Sequence, residues 1–148
     1  MKARDVMTAH PSVATPDDSI RKAAQVMRDR NIGLLPVIDN LQDRQLLGLL
    51  TDRDIVVRCI AAGHGPECTV GAHMTQYHLA SVHIDDEINF VVAKMRRGHI
   101  RRLPVLAPGG QVVGVLSLQD LANRLRPADP ELVERVERIA SVLVQYTS

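Results

Sequence analysis

Two short stretches of the sequence combine the residue types that could bind a phosphorylated ligand. Gly48 to Asp54 reads Gly-Leu-Leu-Thr-Asp-Arg-Asp, and Gly114 to Asp120 reads Gly-Val-Leu-Ser-Leu-Gln-Asp, 66 positions later. In each stretch an apolar run ends in a hydroxyl residue, and an Asp follows three positions on, which is typical of a strand leading into a helix. The unpaired N–H groups at a helix start favour anions, so phosphate and sugar hydroxyls could both bind there.

The same pattern also describes a plain helix cap. A Thr or Ser hydroxyl can cap a helix while a carboxylate three residues later reaches back to the backbone. A duplication copies caps as faithfully as it copies binding sites. The two copies therefore leave both interpretations open.

Each stretch needs a strand before it and a helix after it, and the sequence predicts such elements in order. The elements predicted for the first half are an extended piece at Val13, a helix after Ser19, antiparallel strands over 32–38 and 46–50, and a helix over 51–62. The residues expected to face inward from the last of these helices are Ile55, Val56, Cys59 and Ile60.

The second half of the chain repeats this order. The apolar faces of the first helix in each half match at an offset of 68 positions: Ile20, Ala23, Ala24 and Met27, then Ile88, Val91, Val92 and Met95. An internal repeat of about 67 residues predicts two structural units, and neither should be stable alone because roughly 60 residues bury little surface. We predict an α+β fold in which two β-α-β-β-α repeats, 1–66 and 67–127, pack about a pseudo-twofold axis.

Residues 128–148 predict a further amphipathic helix at the C-terminal end. Its apolar side would consist of Leu132, Val136, Ile139, Leu143 and Val144, with charged residues opposite. Such a helix could pack on its own domain or contact a second subunit. The sequence does not distinguish these two arrangements.

Composition limits the classes of function. Of the 148 residues 45% are hydrophobic but only 2% are aromatic, and the net charge is +1. Few rings could stack on bases and no basic excess attracts phosphates, so nucleic acid is not an expected partner. No stretch approaches the roughly 18 apolar residues of a membrane span, and no signal peptide follows Met1. A cytoplasmic protein without membrane contact is expected.

The patterns for metal binding and catalysis are weaker. His64, Cys68, His73 and His78 have side chains that zinc prefers, but their spacing matches no zinc-finger pattern, so no metal site is predicted. The two cysteines, Cys59 and Cys68, are expected to be reduced thiols. No nucleophile elbow or phosphate loop occurs, and paired carboxylates are explained by helix starts. We therefore expect no enzymatic activity.

The repeated motifs resemble the CBS domain family, named for cystathionine β-synthase. The resemblance covers residues 3–126 as a tandem pair, or Bateman module, and depends on three motifs that recur in the second half: Val6-Met7-Thr8, Ile32 to Val37, and Gly48 to Asp54. It implies a regulatory module that binds adenine-containing ligands in the cleft between the two repeats. It also implies that such modules pair into disc-shaped homodimers.

The resemblance further implies that the motif Asp holds ribose hydroxyls and that the Thr or Ser contacts phosphate. The residues implied for one cleft are Thr8, Val13, Ile32, Gly33, Arg101, Arg102, Ser117 and Asp120. Those implied for the second cleft are Thr51, Asp54, Thr75, Ala80 and Ile100. Arg101 and Arg102 correspond to the uncharged Gly33 and Leu34 of the first repeat. Since guanidinium groups bind phosphate strongly, the first cleft is expected to be the better nucleotide site.

The expected function is that of a stand-alone regulatory protein in signal transduction. It would bind AMP, ADP or ATP, with NAD and S-adenosylmethionine also open, and would signal to an unknown effector protein by conformational or dimer rearrangement. No permanently bound cofactor is expected. One alternative is a dimerisation or interaction scaffold without a physiological nucleotide. A less favoured alternative is a metal- or nucleic-acid-binding variant of the same fold.

Overall fold

The computed structural model describes residues 1–147 and the side chains of residues 1–143, so the predicted apolar role of Val144 lies outside the described side chains. In chain order the elements are α1 (Ala3–Val6), β1 (Thr8–Ala9), α2 (Ile20–Arg30), β2 (Leu34–Ile38), β3 (Leu46–Thr51), α3 (Asp52–Asp54), a π-helical segment (Ile55–Ile60), α4 (Val70–His73), β4 (Val82–His83), α5 (Ile88–Gly98), β5 (Arg102–Leu106), β6 (Val112–Ser117), α6 (Leu118–Leu125) and α7 (Pro130–Thr147). The predicted α+β class, with two repeats and a C-terminal helix, is confirmed.

These elements form two compact units, which divide the chain differently from the sequence repeats. Unit 1 contains Met1–His10, Ala80–Gly109 and the chain from Val113 onward, and unit 2 contains Pro11–Leu79 and Gly110–Val112. The N-terminal segment with α1 and β1 thus belongs to the same unit as the hairpin of the second repeat. Each unit contains one helix start with the hydroxyl and carboxylate pattern.

Unit 1 is built on a four-stranded sheet in the order β1-β6-β5-β4. Strand β1 pairs antiparallel with β6, where Thr8 lies opposite Val115, and β4 pairs parallel with β5. The apolar sides of α5, α6 and α7 form one core with this sheet, and its fully buried members include Met95, Leu103 and Leu116. The sheet and these helices fix the position where β6 ends and α6 begins.

Unit 2 has a related but shorter sheet. Strands β2 and β3 form an antiparallel hairpin in which Leu34 lies opposite Thr51. Single bridges extend the hairpin on both sides, parallel from Ala14 to β2 and antiparallel from Thr75 to β3. The core includes the fully buried Cys59, and burial, followed by the neighbouring Cys68, raises the pKa of the Cys59 thiol.

The first helix in each repeat largely follows its predicted apolar face. In α5 all four predicted residues are buried, and in α2 three of the four are buried while Ala24 is exposed. The Ser19 side chain accepts a hydrogen bond from the Lys22 N–H at 3.0 Å, which caps α2 as its sequence position predicts.

The predicted inward face of the helix after β3 is partly wrong. Cys59 is fully buried, but Val56 is 59% exposed and Ile60 is 56% exposed. The backbone here is π-helical, with Ala61 N–H bonded to the Val56 carbonyl five positions back. The 3.6-residue period on which the predicted face depends therefore does not hold in this segment.

Helix α7 packs on its own chain and buries its apolar side in unit 1. The helix begins at Pro130, and the Asp129 side chain accepts a hydrogen bond from Leu132 N–H at 3.0 Å. The buried side chains are Leu132, Val133, Val136, Ile139 and Leu143. No helix in the described part of the chain combines the length and the apolar character needed to cross a lipid bilayer.

Candidate functional site

Both predicted helix starts have the geometry of a capping box. At the start of α6, the Ser117 hydroxyl oxygen accepts from Asp120 N–H at 3.0 Å, and the Asp120 carboxylate accepts from Ser117 N–H at 3.2 Å. At the start of α3, Thr51 and Asp54 make the corresponding bonds at 3.0 and 2.9 Å. The cap interpretation is therefore confirmed for both copies. A ligand at either start would share these groups with the cap.

The Thr of each Met-Thr pair lies against the strand that leads into a capped helix start. Thr75 exchanges two backbone hydrogen bonds with Leu49, at 2.8 and 2.9 Å, as β1 pairs with β6 in unit 1. A Cβ added at Gly48 would lie 2.8 Å from the Thr75 carbonyl oxygen, and one at Gly114 would lie 3.1 Å from the Thr8 carbonyl oxygen. The motif glycine is thus required for this close approach.

Each helix start, with its hydroxyl residue and motif Asp, is here called the half-site of its unit. An arginine four positions after each motif Asp contacts the chain next to this half-site. Arg58 Nη1 donates to the Met74 carbonyl at 3.5 Å, and Arg124 Nη1 donates to the Met7 carbonyl at 2.9 Å. In unit 2, Arg58 also lies beside Asp54, with 3.7 Å between Nε and Oδ1. No motif singled out these arginines. The available signal was their own repetition at an offset of 66 positions.

Arg101 lies next to the start of α6 through the backbone. The Leu118 N–H, which is the first of the helix, donates to the Arg101 carbonyl at 3.0 Å. The side chains of Arg101 and Arg102 are exposed, and within the described residues neither guanidinium makes a hydrogen bond or an ion pair. Unit 1 therefore holds the Arg101 backbone against the helix start that contains Ser117 and Asp120, where unit 2 has glycine in place of Arg101.

The corresponding place in unit 2 has a carboxylate, and glycine occupies the position that matches Arg101. The Asp52 N–H donates to the Gly33 carbonyl at 3.0 Å, which repeats the bond between Leu118 and Arg101. The Asp52 carboxylate lies against Gly33, since a Cβ added there would be 2.9 Å from Asp52 Oδ2. An anion approaching this helix start would meet the Asp52 carboxylate. The residues of unit 1 that match Gly33 and Asp52 are Arg101 and Leu118.

The predicted site residues are divided between the two units. Of the first predicted set, unit 1 holds Thr8, Arg101, Arg102, Ser117 and Asp120, and unit 2 holds Val13, Ile32 and Gly33. Of the second set, unit 2 holds Thr51, Asp54 and Thr75, and unit 1 holds Ala80 and Ile100. Ile32 and Ile100 each pack against the core of their own unit. The polar members of each set thus share a unit.

Two cavities lie within the units. A cavity of about 290 Å³ in unit 2 is lined by Arg58, Met74, Thr75, Gln76 and Tyr77, so it includes the predicted residue Thr75. A cavity of about 340 Å³ in unit 1 lies between α5 and α7, and its lining includes Val92, Ile139 and Val142. None of the predicted ligand residues lines this larger, mainly apolar cavity. Size alone therefore does not indicate the site.

Two β-α-β-β-α repeats with a capped hydroxyl and carboxylate motif after each hairpin define the class of protein. The CBS domain family matches the chain twice, over residues 3–60 and 70–127. The chain belongs to the CBS domain family and contains a tandem pair of these domains, a Bateman module.

Similar proteins of comparable length are known. Hypoxic response protein 1 of Mycobacterium tuberculosis is 32% identical over 139 residues, which cover 94% of each chain. The CBS domain-containing protein YhcV of Bacillus subtilis is 33% identical over 119 residues, 80% of this chain and 81% of that protein.

Two solved structures have similar folds and hold ligands. The crystal structure of Hypoxic Response Protein I with two coordinated zinc ions is 34% identical, with a TM-score of 0.73, and the match covers 83% of this chain and 98% of that one. The CBS domain pair of protein MJ0100, in complex with 5′-methylthioadenosine and S-adenosyl-L-methionine, is 26% identical with a TM-score of 0.74, over 86% and 97% of the two chains.

Proposed function

We propose that this chain is a regulatory, non-catalytic CBS pair that binds an adenine nucleotide of the AMP, ADP or ATP class through the half-site of unit 1. The observation that carries the proposal is the backbone bond that holds Arg101 at the start of α6, together with the exposed guanidiniums of Arg101 and Arg102, which have no hydrogen-bond or ion-pair partner among the described residues. Arginine binds phosphate oxygens through charge-assisted hydrogen bonds, and helix starts favour the same anion.

The adenosine part of the ligand is supported by the motif carboxylate. Asp120 accepts the capping bonds through Oδ2, and its other oxygen makes no hydrogen bond to any described residue. That oxygen is suited to accept bonds from ribose hydroxyls. The related MJ0100 pair binds adenosyl ligands, one of which is a sulfonium cation. Two arginines repel such a cation, so we expect this chain to prefer phosphorylated adenosine.

Calorimetry with two matched variants tests this proposal. Asp120→Ala and Asp54→Ala remove equivalent capping carboxylates from the two units, so they should destabilise the protein similarly. Asp120→Ala should weaken AMP or ATP binding about 10- to 150-fold, since hydrogen bonds to a charged group contribute about 1.5–3 kcal/mol, and Asp54→Ala should leave it nearly unchanged. Equal affinities in wild type and both variants, or no binding of any adenylate, would overturn the proposal.

We further propose that the chain forms a homodimer whose rearrangement transmits the signal. The support is an apolar patch on the π-helical segment, where Val56, Val57 and Ile60 are 49–59% exposed. Contiguous exposed apolar surface commonly marks a protein interface. Sedimentation velocity should give a dimer for the wild type and a monomer for Ile60→Asp. A monomeric wild type at micromolar concentration would contradict this part of the proposal.

A further inference from the structure

A cluster of metal-binding side chains lies within unit 2. One potential ligand atom each from Cys59, Cys68 and His73 lies within 4.8 Å of the other two. Cys59 and His73 are buried, and Cys68 is partly exposed. Sulfur and imidazole ligands in this combination suit Zn²⁺, which forms tetrahedral sites in proteins.

A second histidine lies next to this cluster at a distance that fits a shared metal. His64 Nδ1 lies 3.4 Å from His73 Nε2. With Zn–N bonds of about 2.0–2.1 Å, two nitrogen ligands of a tetrahedral zinc are separated by about 3.4 Å. For comparison, N–H···O hydrogen bonds in proteins are most often near 2.9–3.0 Å. The His64 and His73 nitrogens are therefore spaced as one edge of a zinc tetrahedron.

Burial makes His73 unusual. It is 5% exposed and is the one polar side chain classed as buried among the described residues. Within the same part of the chain, the polar neighbour of its ring is the His64 nitrogen at 3.4 Å. A buried imidazole beside two sulfur atoms is explained if these groups share a ligand.

The local backbone brings Cys59, Cys68 and His73 together, with His64 next to His73, although their spacing matches no known metal motif. The His64 N–H donates to the Cys59 carbonyl at 2.9 Å, which folds the turn after the π-helical segment back over Cys59. His73 is supplied by α4.

We propose that Cys59, Cys68, His73 and His64 bind one Zn²⁺ ion. The two thiols lose their protons to solvent as the Zn–S bonds form, and the two imidazoles bind as neutral rings. The metal would join the π-helical segment to α4. Arg58 precedes Cys59, and Met74 follows His73, so zinc would also fix the contact between Arg58 and the Met74 carbonyl. The site is independent of the nucleotide proposal for unit 1.

Metal analysis of the untagged full-length protein, purified with reductant and dialysed against limiting Zn²⁺, tests the proposal. About one tightly bound zinc per chain is expected. Co²⁺ added to the metal-free protein should give the intense visible bands of tetrahedral coordination and a thiolate-to-cobalt charge-transfer band.

Variants distinguish the site from adventitious binding. Cys59→Ser, Cys68→Ser and His73→Ala should each abolish stoichiometric zinc binding and should abolish or weaken the thiolate band. His64→Ala should weaken zinc binding but retain the thiolate band. His83→Ala removes an exposed histidine outside the cluster and should change neither. Cys68 is partly exposed, so Cys68→Ser should keep the wild-type circular dichroism even if Cys59→Ser misfolds.

Three results would overturn the proposal. The first is metal-free protein that binds neither Zn²⁺ nor Co²⁺. The second is zinc binding that persists in Cys68→Ser and His73→Ala, which would place the ion elsewhere. The third is a Cys59–Cys68 disulfide, found by mass spectrometry, that persists in protein purified with reductant and excludes zinc.

Discussion

The start of α6 in unit 1 and the start of α3 in unit 2 have nearly the same backbone hydrogen bonds but opposite surroundings. In both, the first N–H of the helix donates a hydrogen bond of 3.0 Å to the carbonyl of the residue that comes just before the hairpin. In unit 1 that carbonyl belongs to Arg101, and in unit 2 it belongs to Gly33, against which the Asp52 carboxylate lies. The duplicated scaffold thus gives both units the same helix start, while a few local charges distinguish the two copies.

The motif carboxylates differ in a related way. Asp54 has Arg58 beside it, with 3.7 Å between Nε and Oδ1. The equivalent Arg124 is directed to the Met7 carbonyl at 2.9 Å, and the corresponding oxygen of Asp120 has no hydrogen-bond partner in the described chain. Among the described residues, the second oxygen of Asp120 thus lacks the neighbouring guanidinium that the second oxygen of Asp54 has.

The largest expected effect tests whether the two scaffolds are equivalent. Leu116 and Leu50 occupy matching strand positions and are both fully buried. Leu116→Ala and Leu50→Ala should each lower the free energy of unfolding by about 2–5 kcal/mol, because each leaves a cavity in a core. Urea denaturation measures both. A loss below about 1 kcal/mol for one variant only would show that the units are not packed alike.

The second prediction concerns charge. Arg102→Ala should reduce AMP affinity about 10- to 150-fold by removing a charge-assisted bond worth about 1.5–3 kcal/mol. Arg53→Ala removes an arginine from the start of α3 in unit 2 and serves as the matched control, with little expected change. Calorimetry at two salt concentrations measures both. A larger loss for Arg53→Ala would reverse the assignment of the better half-site.

The third prediction separates capping from binding. Ser117→Ala and Thr51→Ala each remove a hydroxyl that caps a helix, so both should lower the free energy of unfolding by about 1 kcal/mol. Only Ser117→Ala should also weaken nucleotide binding. Thermal unfolding with and without AMP measures both quantities in one series. If the two variants lose AMP-dependent stabilisation equally, the asymmetry between the units is absent.

The smallest expected effect is a pH dependence of stability that arises at the start of α2. Burial opposes ionisation of Asp18, but the hydrogen bond from Thr15 N–H and the Lys22 ammonium outweigh it, and the pKa of Asp18 is lowered. A lowered pKa stabilises the fold above the unfolded value of about 3.9, and this contribution is lost as the pH falls through the folded value. The position matching Lys22 in the second repeat is Phe90.

Unfolding measured from pH 6 down to pH 2 checks this prediction. Asp18→Asn should be less stable than the wild type at pH 6, and the difference should vanish at the acid end. Lys22→Ala should lower the free energy of unfolding by only about 0.3–0.5 kcal/mol, as expected for an i,i+4 ion pair on a helix. A difference that is constant across this pH range would show that the Asp18 charge does not contribute.

Much of the fold could be predicted because it depends on local patterns. The capped helix starts, the two hairpins and the apolar face of α5 all follow from spacing and residue type. The exposure of Val56 and Ile60 could not be predicted, because their turn is π-helical and an α-helical period assigns them to the core. The pairing of β1 with β6 joins residues more than 100 positions apart, and no local pattern indicates it.

The candidate sites likewise include residues that the sequence could predict and residues that it could not. Ser117 and Asp120 could be located from their motif, since three-residue spacing is all that a capping box needs. The contact of Arg124 with the Met7 carbonyl joins distant segments and has no local signature. The sequence predicts Cys59 as an inward-facing helical residue with a reduced thiol. Its approach to Cys68 and His73 depends on the folded backbone, so no local pattern indicates the cluster.

The central claim, that unit 1 holds the nucleotide half-site, is tested most directly by titrating AMP into the ¹⁵N-labelled protein and following its amide resonances. The account predicts that the amides of Arg101, Arg102 and the start of α6 (Leu118 to Asp120) shift first, with those of Asp52 to Asp54 following only at higher AMP concentration or not at all. Shifts that appear first at Asp52 to Asp54, or equally in both units, would contradict it.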